Sequence, residues 1–247
     1  MLRITFLIFS MCALFNYDTL MAQQLDGFVK MGGGVIQASN LNLQVKPFFI
    51  SKTEISNKEY RTFLLWLEKN RSSDELAEAT QALDVAQTKL LPKNYLKSSK
   101  YDNYPIVGVS YRAAQLYCEY LNAIHPGLSG KFRLPDDREW LYASAISNDD
   151  MLHSEIAASK DKSYNFKLTT EKTAPMPVNS LKANGFGIYN MVGNVAEWTN
   201  SPGRIKGGSW NDNVETLNIK KPGKHHGQTA PSPFIGFRPV YFEEPVK

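Results

Sequence analysis

The chain has little cysteine and little histidine, two and four residues among 247. The two thiols are Cys12, inside an apolar N-terminal run, and Cys118, near the middle. Loss of the first would leave one thiol, and one thiol closes no internal disulfide even in an oxidising compartment. Charge of either sign is also not in large excess: 28 Lys and Arg against 24 Asp and Glu leave a formal +4. Nucleic-acid binders concentrate basic residues and interleave them with aromatic stacking platforms. The one basic cluster, Lys220-Lys221-Pro-Gly-Lys224-His225-His226, has no such aromatics, so no nucleic-acid partner is expected. It reads either as a solvated loop or as a surface that meets a partner. No internal repeat, low-complexity linker or second-domain boundary interrupts the sequence. The longest apolar run, Ile4 to Phe15, is too short to span a bilayer comfortably.

That run reads instead as the centre of a secretory signal over residues 1–22, with Arg3 before it and Ala22 before Gln23-Gln24. Leu20, three residues before the cut, is larger than such sites prefer, and an uncleaved anchor is the alternative. Residues 23–247 are then a single domain with enough chain for one substantial core. The expected location is exported, periplasmic or extracellular, with any membrane association made through a partner.

Phe28 to Ile50 is rich in glycine and short apolar runs and predicts strands and turns. Ser56 and Glu59 form a capping box for a helix whose buried stripe is Tyr60, Phe63, Leu64 and Leu67. Ser73 to Leu91 predicts a further amphipathic helix with Leu76, Ala79, Leu83, Ala86 and Leu90 on one face, belonging either to the core or to an interface. Ser110 caps a helix carrying Cys118, read as a buried structural thiol. Asp136 and Glu139 repeat the capping box ahead of Trp140 and Ala143, which point inward. Residues 145–185 predict long loops, and the Gly-punctuated aromatic segments from Phe186 onward predict short strands.

A series of weak motifs in a fixed order follows the chain. It runs Thr53-Glu-Ile-Ser-Asn57 with Tyr60 and Phe63, Pro105-Ile-Val-Gly-Val-Ser110, Ala114, Tyr117-Cys118, Phe132-Arg-Leu-Pro135 and Glu139-Trp140. Gly187-Ile-Tyr-Asn-Met-Val-Gly-Asn-Val-Ala-Glu-Trp198, Gly207-Gly-Ser-Trp210 and Gly236-Phe-Arg238 complete it. Over residues 28–241 the chain resembles the formylglycine-generating-enzyme, or sulfatase-modifying-factor, domain family. The resemblance implies a compact α+β domain related to C-type-lectin-like folds. The excursion around residues 70–100 is less typical of it.

The family's copper-dependent oxidases bind the metal with a C-terminal cysteine pair. Trp210 to Phe234 contains no cysteine, and Asn218, Lys220 and Lys221 stand where a run of arginines is usual. Thiolates suit Cu(I) because both are soft, so copper is not expected here. A related branch holds iron with a His/His/Glu group, but His125, His153, His225 and His226 show no such pattern.

The resemblance also implies structural Ca2+ at Asn194, Glu197 and backbone oxygen near Val195, with Asn165 and Phe166 in another site, since hard oxygen ligands suit calcium. The plainer alternative is that Asn194 caps a turn and Glu197 pairs with a base. Trp198, Trp210, Gly207 and Gly208 read as architecture. The leading expectation is an exported, non-catalytic protein-binding or envelope-assembly domain. A divergent enzyme, bringing Glu197, Trp210, His225 and His226 into one pocket, and a small-ligand or glycan binder are the alternatives.

Overall fold

The computed structural model describes residues 25–38, 41–85, 89–145, 164–166, 174–213, 227 and 230–243. The leader over 1–22 and the loop Lys220 to His226 lie outside the described residues. The glycine-rich start of the chain folds as four short strands: β1 (Phe28–Met31), β2 (Gly34–Ala38), β3 (Leu41–Val45) and β4 (Phe48–Ser51). Among the described residues β2 and β3 pair only with each other, antiparallel. β1 and β4 join two distant strands, β5 (Lys131–Arg133) and β9 (Val240–Phe242), in an antiparallel sheet of order β1-β4-β9-β5. The last described strand therefore sits between elements from the beginning and the middle of the chain. A third sheet has order β7-β6-β8, with β6 (Ala196–Trp198) antiparallel to β7 (Ile205–Lys206) and parallel to β8 (Ile235–Gly236).

Among the described residues four α-helices complete the frame: α1 (Asn57–Asn70), α2 (Ser73–Val85), α3 (Tyr111–Ile124) and α4 (Asp137–Ser144). α1 begins where the sequence predicts. The Ser56 hydroxyl accepts from Glu59 N–H while the Glu59 carboxylate accepts from Ser56 N–H, which satisfies two of the donors a helix start leaves unpaired. Asp136 and Glu139 do the same for α4, and the Ser110 hydroxyl accepts from Ala113 N–H at the start of α3. The Ser110 hydroxyl also donates to Glu78, tying the α3 cap to α2.

The helix expected over Ser73–Leu91 is shorter than its pattern. Its described helical residues run to Val85, and residues 89–91 form a turn and bend. Pro92 biases the residue before it away from helical backbone. Leu90, placed by periodicity on the apolar face, is 54% exposed. Ala79 and Ala82, by contrast, are buried in the core, and Tyr60 Oη donates to Ala79 O at 3.0 Å. That face of α2 therefore belongs to the core.

Packing divides into two apolar clusters. The larger joins α1, α2 and α3 to the third sheet through Tyr60, Phe63, Tyr117, Trp198 and Phe237. Tyr117 meets Phe63 and Phe237 edge-on, each with ring centroids 5.3 Å apart. The smaller cluster packs Trp140 and Ala143 of α4 against Ile50, Ile188 and Val240. Burying one such large apolar side chain is worth roughly 1.5–3 kcal/mol. The seam between the clusters carries the polar site.

Candidate functional site

Glu54 follows β4 by three residues and precedes the α1 cap. The backbone on its C-terminal side is fixed: Ile55 N–H donates to Phe237 O at 3.0 Å and Ile55 O accepts from Ile106 N–H at 2.8 Å. Its carboxyl faces the turn Asn190-Met-Val-Gly-Asn194. Both asparagines adopt left-handed backbone, with φ 54° and 59°, a region that Asn enters more readily than most residues. Gly193, at φ 82°, is needed for a second reason, since a Cβ there would lie 2.9 Å from Asn165 O. Gly207, at φ 90°, likewise lets the chain pass Met191 O and the Trp140 ring.

Asn194 is the hub of this turn. Its Nδ2 donates to Glu54 Oε1 at 2.9 Å and to Met176 O at 3.2 Å. Its Oδ1 accepts from Met176 N–H at 2.9 Å and from Asn165 Nδ2 at 3.1 Å. Its backbone N–H donates to Asn165 O at 3.0 Å, and its carbonyl accepts from Trp210 N–H at 2.8 Å. Asn190 Nδ2 donates to Glu54 Oε2 at 2.9 Å and to Val178 O at 3.0 Å.

Next to this network lies a buried ion pair. Arg238, two residues beyond β8, donates through Nε and Nη2 to both oxygens of Glu197 at 2.7–3.0 Å, and Trp140 Nε1 donates to Glu197 Oε2 at 2.9 Å. The rest of the guanidinium is satisfied by Ser51 O at 3.1 Å and Tyr189 O at 2.8 Å. Burial works against the Arg238 charge, but the Glu197 carboxylate outweighs it and holds its pKa above the ordinary value. Burial pushes the Glu54 carboxyl up to about 8, with Glu197 adding to the rise and Arg238 opposing it. Two carboxyls and one guanidinium, all buried, therefore share this seam. Removing one member of such a pair costs on the order of 3–5 kcal/mol, because the other is left buried and unpaired.

The structure thus brings Asn165, Asn194 and Glu197 into one polar seam. Asn165 touches Asn194 directly, and the Phe166 ring closes over Gly193. Val195 is packed in the larger apolar cluster. The side-chain oxygen of Asn194 accepts from Met176 N–H and Asn165 Nδ2, and those of Glu197 accept from Arg238 and Trp140. Among the described residues, no group of three or more His, Cys, Asp or Glu could hold a metal ion. Cys118 is buried, and burial pushes its thiol pKa up, away from the thiolate that a nucleophile requires. Trp210 is buried beside the Asn194 turn, whereas His225 and His226 lie outside the described residues.

Glu54, Asn190, Trp140 and Arg238 were not singled out as site residues from sequence, although each sits inside a motif that carries the family resemblance. Their signal was present as motif membership. What was missing was that motifs over a hundred residues apart close on one another.

Short strands, capped helices and a buried polar seam, in a chain without a C-terminal thiol pair, define an α+β domain of the sulfatase-modifying-factor type. Residues 20–241 match the Sulfatase-modifying factor enzyme 1-like domain, and the chain belongs to that family. It is 29% identical to the mouse formylglycine-generating enzyme over 109 residues, which are 39% of this chain and 27% of that enzyme. A fuller match is with the chaperone protein LppX of Paenibacillus barcinonensis, 24% identical over 236 residues, covering 81% of this chain and 84% of LppX. The fold is similar to the crystal structure of CarF, with a TM-score of 0.62 at 22% identity, covering 89% of this chain and 98% of that one.

Proposed function

We propose that this chain is an exported, non-catalytic member of its family that works by binding another protein, as a free module or within an envelope assembly. The observation that carries this reading is the stretch between the Gly-Gly-Ser-Trp and Gly-Phe-Arg motifs. The framework on both sides is kept, and no cysteine stands between Trp210 and Phe234. A copper oxidase that lacks its thiol pair lacks the ligands that select Cu(I). The name of LppX, a chaperone matched along most of both chains, supports a role exercised on a protein. Export is the reading of residues 1–22 as a signal, and under the proposal the domain, 23–247, works in the periplasm or outside the cell.

A lectin-like display of long loops from a rigid base is the finer reading of the fold that this role uses. The loop carrying Lys220, Lys221, Lys224, His225 and His226 is the leading contact surface, steering an acidic partner more than supplying most of the affinity. Native cross-linking of envelope fractions, followed by pull-down, tests the proposal. A specific partner is expected, and reversing charge at Lys220, Lys221 and Lys224 should weaken its capture more at low salt than at high salt. Recovery of no partner would remove the binding role, and capture with unchanged salt dependence would remove this loop from it.

A further inference from the structure

The side-chain oxygens of the two residues expected to ligate calcium already accept hydrogen bonds from protein donors. An ionised carboxylate offers about four acceptor positions and a carboxamide oxygen two. Glu197 Oε1 receives Arg238 Nε at 3.0 Å and Nη2 at 2.7 Å. Oε2 receives the same Nε at 2.8 Å and Trp140 Nε1 at 2.9 Å. Asn194 Oδ1 is filled by Met176 N–H and Asn165 Nδ2. Turning the Asn194 amide over would not free it, because the Met176 N–H and the Asn165 Nδ2 would then both face an NH2. Calcium takes six to eight oxygens, and here it would bring its charge beside a buried guanidinium already engaged by the carboxylate.

We propose that in this chain a clasp made only of protein takes the place of a bound ion along residues 190–198, the turn and the strand β6 that follows it. Arg238 neutralises Glu197, the Asn165, Asn190 and Asn194 side chains tie the turn to residues 174–178, and Glu54 accepts from Asn190 and Asn194. The clasp joins segments from both ends of the domain. Ser51 O and Glu54 come from the β4 end, Trp140 from α4, Tyr189 O and Asn190 from the turn, and Arg238 from beyond β8. Full stability then needs no calcium.

The test uses the full mature chain, first stripped of divalent ions with a chelator and then given Ca2+ alone. Calorimetric titration should show no saturable binding, and the melting midpoint should not move. The proposal is overturned by saturable Ca2+ binding that Glu197→Gln abolishes, accompanied at hundredfold excess over Kd by a midpoint rise of about 5 °C or more. A second variant separates the two arrangements. Asn194→Asp puts a carboxylate where an amide donates to Glu54, so a clasp predicts a lower midpoint that Ca2+ does not restore. An ion site predicts the reverse, with the added charge tightening Ca2+ binding and Ca2+ recovering the midpoint.

Discussion

Glu54 is a carboxyl whose chemistry burial moves far from what its type suggests. Its carboxyl titrates at about 8 in the fold against 4.5 without it. Between those values the folded state holds a proton that the unfolded chain has released, so stability falls as pH rises. The contribution is fully present below 4.5 and lost as pH passes through about 8. Glu54→Gln cannot titrate, and urea denaturation at a series of pH values should give a flatter profile for it across that window. A wild-type profile that rises with pH there, or one that Glu54→Gln leaves unchanged, contradicts the assignment. Glu197 illustrates the other side of residue-scale reading. Pairing with a base was the plainer of its two roles in the sequence, and the structure shows that pairing with Arg238. The base could not be named beforehand, because 41 residues of chain separate the two.

At the scale of elements, local chemistry was the legible part. Three helix starts were visible as Ser56, Ser110 and Asp136 because a cap acts within three residues of itself. Ser56→Ala should cost about 1 kcal/mol through loss of a cap. Tyr60→Phe should cost a similar amount, about 1 kcal/mol, by removing the hydroxyl donated to Ala79 O. Chemical denaturation checks both, and the losses should add poorly, because the two residues sit on one turn of α1. A loss far below this for both would mean that α1 is not held from its first turn and from α2.

The helix expected to Leu91 is too long because the 3.6-residue rhythm of apolar residues runs on to Leu90, where the chain is a turn, and periodicity alone does not show where a helix stops. Sheet order was not legible either. Nothing in Val240 to Phe242 says that it will lie between β4 and β5, because pairing depends on partners brought in from far along the chain.

For the whole molecule, the ordered series of motifs made the family readable, since each motif marks a place where distant segments meet: Glu54 with Asn194, Trp140 with Glu197, and Glu197 with Arg238. The framework is retained while no cysteine stands between Trp210 and Phe234, and the proposed non-catalytic role requires that this domain do no copper chemistry. Mass spectrometry of a sulfatase-type cysteine peptide incubated with the purified mature chain and copper tests this most directly. The account predicts no conversion to formylglycine above a no-protein control. Copper-stimulated conversion would contradict it.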